Sequence, residues 1–196
     1  MIVKSFEINK INIFKTNFFL FYGENEGLKK EIINNKFRKK YLGNMFRYEE
    51  KEILSEKDSF FESILTKSLF ENEKIIIIKR ATDKILKVFE EIDDKKLNDI
   101  SIIITSDNLE KKSKLRSYFE KNKIYACIAF YPDTIQTLTK LACNFLKEKN
   151  IAISMSNINL IINRSNGDRE NLLKELTKLE YYTKNGKKIT SENISK

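Results

Sequence analysis

The apolar positions of this chain alternate between short continuous runs and stripes of helical spacing. Phe18 to Tyr22 is a wholly apolar run that stops at Gly23, as a buried strand does when it feeds a turn. Beyond it, Leu28, Ile32, Ile33 and Phe37 recur at helical spacing, with Lys29, Lys30, Lys36, Lys39 and Lys40 on the other positions, which predicts an amphipathic helix. A second helix is expected near Asp58, with Asp58 or Ser59 as its N-cap and Phe60, Phe61, Ile64 and Leu65 on its stripe. Ile75-Ile76-Ile77-Ile78 is then a run of β-branched residues, the mark of a strand buried on both faces, and it ends at Lys79 and Arg80.

The alternation continues to Tyr131. Residues 83–96 predict a helix with Ile85, Val88, Phe89 and Ile92 inward, and residues 100–105 a strand. Leu109, Leu115, Tyr118 and Phe119 mark a basic helix, and residues 125–131 one more strand. Strands separated by helix-length segments imply βαβ units, so residues 1–131 are expected to form an α/β domain: a largely parallel sheet with helices on both faces. At Tyr131-Pro132-Asp133 the pattern changes. Ile135, Leu138, Leu141, Ala142, Phe145 and Leu146 outline one helix, and Ile158, Leu160, Ile161 and Ile162 a second. Asp168 is expected to cap a third, carrying Leu172, Leu173, Leu176 and Leu179, with Gly167 supplying a positive φ before it. The final ITSENISK reads as the first turn of a fourth helix, capped by Thr190 or Ser191. Residues 132–196 are therefore expected to be a small all-helical domain.

Charge adds a direction to this picture. In 196 residues, 37 Lys plus Arg oppose 28 Asp plus Glu, a net charge of +9, which favours an acidic partner such as nucleic acid. The Lys residues are scattered among Glu and Asn rather than gathered in a tail, so weak, sequence-indifferent DNA binding is the expectation. The absence of His excludes Ser-His-Asp and Cys-His nucleophilic sites, His general bases and His-containing zinc sites. Cys127 and Cys143 lie in apolar runs at a spacing that suits neither a metal pair nor a disulfide framework, and read as buried thiols of a reducing cytosol. No signal-like or bilayer-length apolar run occurs, so a soluble, cytoplasmic protein without a membrane partner is expected.

Strand, glycine loop and helix in succession is the setting of a phosphate-binding P-loop, and the pattern G-x-x-x-x-G-K-[ST] can be laid on Gly23. Lys29 fits the lysine position. Leu28 stands where the second glycine belongs, Gly27 comes one place early, and Lys30 replaces the hydroxyl that holds Mg²⁺. Acidic Glu24 and Glu26 stand in the loop whose backbone amides would have to face phosphate oxygens. The strand at Ile75 to Ile78 ends in Lys79 and Arg80 where a metal-holding carboxylate is needed, so both metal functions are replaced by cations. The expectation is a degenerate P-loop that serves as a structural turn, with no cofactor, no metal and no intrinsic catalytic site.

The segment Thr66-Lys67-Ser68-Leu69-Phe70-Glu71 supports two readings. Leu69 and Phe70 either pack beneath the Ile75 strand or protrude as a hydrophobic wedge for a partner's pocket, rimmed by Lys67, Ser68, Glu71, Asn72 and Glu73. Residues 107–116 read as a charged helix start with Asp107 at its head, mostly a solvated face.

Taken in order, FFLFYGENEGLKKE at Phe18 to Glu31, TKSLFENEKIIIIKR at Thr66 to Arg80, SDNLEKKSKLR at Ser106 to Arg116 and NGDRENLLKELTKLEYYT at Asn166 to Thr183 resemble the delta subunit of the bacterial DNA polymerase III clamp loader. The resemblance covers nearly the whole chain. It implies an AAA+-like fold that has lost nucleotide chemistry, in a non-catalytic component of the replicative polymerase holoenzyme. It also implies a role for the second segment: Leu69 and Phe70, with Ser68 at the head of the step, enter the hydrophobic pocket of the ring-shaped sliding clamp and spring one interface of the ring. ATP is then supplied by sister subunits. The family continues into a helical collar domain that these 196 residues do not include, so partnership with the gamma/tau and delta prime subunits is expected only where a collar is present. Two rivals are an active P-loop enzyme, opposed by Lys30, Lys79 and Arg80, and a basic nucleic-acid-binding module of degenerate P-loop fold without a clamp partner.

Overall fold

The computed structural model describes residues 2–13, 15–38, 45–65, 74–95, 100–186, 189 and 194. The chain divides into two compact units, Met1–Tyr131 and Pro132–Lys196.

In the first unit, six strands among the described residues form one sheet: β1 (Ile2–Lys4), β2 (Phe18–Tyr22), β3 (Met45–Glu49), β4 (Lys74–Lys79), β5 (Ile100–Ser106) and β6 (Ala126–Ala129). Their spatial order is β1-β6-β2-β5-β4-β3, and every neighbouring pair is parallel. The chain therefore leaves β2 for the far edge at β3 and returns strand by strand through β4 and β5 to β6.

The crossovers separate by face. Helix α1 (Glu26–Ile32), continued by a π-type turn at Ile33–Phe37, follows β2 and packs Ile32, Ile33 and Phe37 on Phe19, Phe21, Ile75, Ile77 and Ile103. The returning helices α2 (Glu50–Ser55), α3 (Lys57–Leu65), α4 (Leu86–Asp94) and α5 (Lys114–Lys121) pack on the opposite face, where Phe89 and Phe119 meet Leu20, Ile76, Ile78, Ile102 and Ile104. Outward travel on one face and return travel on the other is what right-handed crossovers require. It also explains the sequence pattern: with both faces covered, β2, β4 and β5 read as continuous apolar runs, and Ile75 to Ile78 are all essentially inaccessible.

Several expectations are corrected. Strands β1 and β3 and helix α2 have no clear sequence signal, because β1 is three residues long and β3 is an edge strand with exposed Phe46 and Arg47. Asp58 does not cap α3 but lies in its first turn. The predicted helix from residue 83 starts as a 3-10 turn at Asp83–Ile85, capped by Thr82, before α4 begins. The basic helix begins at Lys114 rather than near Asp107, and its N-cap is Ser113. Cys127 is fully buried and burial pushes its thiol up to about 12, whereas Cys143 is only half-buried.

The second unit packs α6 (Ile135–Glu148), α7 (Met155–Arg164) and α8 (Arg169–Lys184) around Leu138, Ala142, Leu146, Ile158, Ile161 and Leu172. Thr134, Ser154 and Asp168 cap the three helices, Asp168 accepting from the Asn171 amide at 2.7 Å after Gly167 at φ 76°. Nearby, the Arg169 guanidinium grips both oxygens of Asp133 at 3.1 and 3.2 Å. Ile135 and Leu160, expected on the inward stripes, are exposed. Of the expected fourth helix, Ile194 is helical and buried, while Thr190 and Ser191 lie outside the described residues. Among the described residues no helix is long and apolar enough to cross a membrane.

Candidate functional site

In parallel sheets, ligands bind beyond the carboxyl ends of the strands where the direction of travel reverses. Here that place is the end of β2, and it carries the degenerate P-loop.

The turn is closed by bonds to its own fold. The Gly23 amide donates to the Asp107 carbonyl at 3.1 Å, and the Asn25 amide to the Phe130 carbonyl at 3.4 Å. Glu26 N–H donates to the Glu24 carbonyl at 2.9 Å. Asn25 caps α1, its side-chain oxygen accepting from the Leu28 amide at 2.9 Å, and its side-chain nitrogen donates to the Tyr131 carbonyl at 3.0 Å. A phosphate cradle needs such amides aimed at the ligand; these four are already engaged. Gly23 sits at φ 120°, and a Cβ there would lie 2.8 Å from the Phe130 carbonyl carbon, so only glycine lets the turn lie against the end of β6. Gly27 is in the first turn of α1.

Lys29 has the motif position without the motif role. Its side chain is 1% exposed, its ammonium donates to the Ser106 carbonyl at 2.7 Å, and it pairs with Glu26. It ties α1 to the end of β5. Lys30 projects from α1 and is exposed.

Beside the turn lies a cleft of about 520 Å³. Lys29, Lys30, Arg47, Lys79 and Arg80 line it, opposed by Glu26, Glu49 and Asp107, over a floor that includes Ile77. Sequence reasoning found Lys30, Lys79 and Arg80 here but missed Arg47, which β3 delivers by pairing in register with β4, Arg47 beside Ile77 and Glu49 beside Lys79. It also missed Asn25, although an Asn ahead of a helical stripe is an N-cap signal.

The end of β5 leads to a second closed helix terminus. Asp83 accepts from the Ser113 hydroxyl at 2.6 Å and from the amides of Leu115 and Lys114, both at 3.0 Å. Burial alone would raise its pKa, but the Ser113 hydroxyl and the two amides outweigh that and hold it below the ordinary carboxylate value. On α5 itself, Arg116 lies 4.8 Å from the Tyr22 ring centre and donates to Glu120 at 2.6 Å. Tyr118 and Tyr125 both donate to Asp93, and burial with that carboxylate raises both phenols. Among the described residues no group of three or more His, Cys, Asp or Glu is placed to hold a metal ion. Ser68, Leu69 and Phe70 lie outside the described residues.

A parallel sheet that reverses direction at the strand before the glycine turn, followed by a helical unit, is an AAA+-like fold, and solved structures of that class match it. The Bacillus subtilis DNA clamp loader delta protein (YqeN) matches with a TM-score of 0.58 at 15% identity, over 97% of this chain and 61% of that one. Domain III of the Thermotoga maritima replication initiation protein DnaA matches at 0.53 and 16%, over 97% and 86%. A variant of Thermotoga maritima RuvB matches at 0.60 and 15%, over 91% and 59%. This chain thus spans less than two thirds of the delta protein. No family model and no curated protein matches the chain. At these identities the likeness is one of fold.

Proposed function

We propose that this chain is a delta-type clamp opener: a non-catalytic, AAA+-like component of a DNA polymerase III clamp loader that binds the sliding clamp through Leu69 and Phe70, with Ser68 at the head of the step. The observation that carries the reading is the Ser68-Leu69-Phe70 step in the sequence shortly ahead of β4, in a chain whose fold matches a clamp loader delta protein over 97% of its length. The closed glycine turn supports it from the other side, since an opener that leaves ATP to sister subunits has no use for a phosphate cradle. The β ring needs only differential binding: a wedge that prefers the strained interface shifts the population toward the open ring.

Burying a Leu or Phe side chain is worth roughly 1.5–3 kcal/mol, so the pair can supply the hot spot of a small interface. The double change Leu69→Ala, Phe70→Ala is expected to weaken binding to a purified bacterial clamp by roughly two to four orders of magnitude, at about 1.4 kcal/mol per tenfold. Melting should hardly move. A folded variant with unchanged clamp affinity rejects the wedge, and a variant that loses several kcal/mol of stability places the pair in a core instead.

The second reading is a basic nucleic-acid-binding module of the same fold without a clamp partner, favoured by the +9 charge. Phosphate contacts alone give weak DNA binding that fades steeply with salt. Strong preference for one duplex sequence at physiological salt, with no clamp affinity, would put this reading first.

A further inference from the structure

The cationic cleft beside the glycine turn has no part in the clamp reading and does not depend on it. We propose that it is a metal-free oligophosphate site, taking a linear di- or triphosphate as the inorganic anion or as the tail of a nucleotide, with Arg47, Lys79 and Arg80 as its donors.

The placement follows from pairing and periodicity. Ile75 and Ile77 point to the α1 face of the sheet, so Lys79, two further along β4, points there too. Register puts Glu49 beside Lys79 and Arg47 beside Ile77, so adjacent strands deliver two cations over an apolar floor. Across the cleft, Glu26, Lys30 and Ile33 recur along one stripe of α1, and the π-type turn that begins at Ile33 forms part of this wall. Such turns are frequent at functional sites.

Charge and shape then select the ligand. The volume of about 520 Å³ lies in the range of small-molecule pockets. Lys29 and Glu26 neutralise each other, and Arg47, Lys79 and Arg80 then stand against Glu49 and Asp107. Arg80 is 83% exposed, and its contact with Glu49 at 3.6 Å is too long for a hydrogen bond. Guanidinium forks of this kind match phosphate oxygens in pairs. Arg80 also holds φ 52°, a left-handed conformation that disfavours every residue with a Cβ and that glycine adopts freely. A charged residue kept in that conformation at a strand end, facing a cationic cleft, points to a use for its side chain. Concave convergence favours a compact anion over a polymer strand, which would need a continuous stripe.

The sign of the metal effect sets this site apart from a nucleotide-hydrolysing one. Mg²⁺ competes with the side-chain cations for the same phosphate oxygens, and positive residues occupy the end of β4. Binding should therefore weaken when Mg²⁺ is added.

The test is calorimetric titration of the full chain with sodium triphosphate at low ionic strength, in chelator and then in excess Mg²⁺. The expected result is one-site binding that Mg²⁺ weakens and that falls by about tenfold or more in Arg47→Gln and in Lys79→Gln, the loss of a charge-assisted bond. Arg80→Gly should reduce affinity without lowering the melting point, which separates charge from fold. Equal affinity for ATP in chelator identifies the phosphate tail as the recognised part, and tighter ATP binding makes a nucleotide the source. Absence of binding, strengthening by Mg²⁺, indifference to the substitutions, equal affinity for sulfate, or displacement by a single-stranded oligonucleotide at lower concentration would each overturn the proposal.

Discussion

The glycine turn and the cationic cleft stand at the same end of the same sheet and are completed in opposite ways. At the turn, the amides of Gly23, Asn25, Glu26 and Leu28 bond to carbonyls or to the Asn25 side chain, and the Lys29 ammonium is buried against Ser106 and Glu26. In the cleft, Arg47 is exposed, Lys79 is half-buried, and Arg80 stands in solvent with one loose carboxylate. The glycine turn is thus a structural joint, while the cationic side chains on β3 and at the end of β4 stand open beside it. What a strand end can bind depends on which donors remain after folding has satisfied its own bonds.

The largest expected effect is at the joint. Gly23→Ala places a methyl group against the Phe130 carbonyl at φ 120°, where neither backbone can yield without breaking the bonds from Phe130 N–H to Tyr22 and from Asn25 N–H to Phe130. Urea melting should show a loss of about 3 kcal/mol or more, from backbone strain and the separation of the turn from β6. A variant as stable as the parent would mean that the turn is adaptable and the contrast with the cleft false. Lys29→Met comes next. It retains the length of the side chain but leaves the Ser106 carbonyl without its donor, for a loss of about 1–3 kcal/mol. In a working P-loop the same change removes nucleotide binding; here calorimetry with MgATP should show no difference between parent and variant.

How much of this was legible in the sequence differs between the same two places. Strands β2, β4 and β5 could be read because burial on both faces leaves continuous apolar runs such as Ile75 to Ile78. The α/β class follows from those strands and the helices between them; the AAA+-like kind came only from the resemblance of four segments to a known family, and the solved structures share it. Strand β3 could not be read, since an edge strand with Phe46 and Arg47 in solvent keeps neither a continuous run nor a clean alternation. With β3 went Arg47, whose membership of the cleft depends wholly on register. The turn was legible as degenerate from Leu28 and Lys30, but the role of Lys29 was not, because its partner, the Ser106 carbonyl, is a backbone atom 77 residues away. The head of α5 was misplaced toward Asp107 for a similar reason: its anion, Asp83, comes from a segment 30 residues before Ser113.

That helix terminus is a third structure at the same end of the sheet and sharpens the contrast by pH. Asp83 has its pKa lowered in the folded chain, so its ionised form stabilises the fold at neutral pH, and this contribution disappears as pH falls through the folded-state value. Asp83→Asn should be less stable than the parent near neutrality, by less than Lys29→Met because Asp83 is solvent-exposed. The gap between the two melting midpoints should close from about pH 5 downward, as the parent's carboxylate becomes protonated. A gap that stays constant to low pH would show that hydrogen-bond shape, and not charge, holds Asp83 to Ser113 and α5.

The smallest expected effect has the opposite sign. Arg80 adopts φ 52° at the end of β4 and is 83% exposed, so its side chain contributes little packing, while its backbone bears the cost of a left-handed residue. That cost is of order 1 kcal/mol for a single residue with a Cβ, and glycine removes it, though a more flexible unfolded chain returns part of the gain. Loss of the 3.6 Å contact with Glu49 subtracts a few tenths of a kcal/mol at most, as exposed pairs do. Arg80→Gly should therefore leave the chain as stable as the parent or raise stability by up to about 1 kcal/mol, in contrast to Gly23→Ala at the other end of the comparison. A loss of more than about 1 kcal/mol would mean that Arg80 belongs to the joint, holding β3 to β4 through Glu49, and the cleft would then be as closed as the turn beside it.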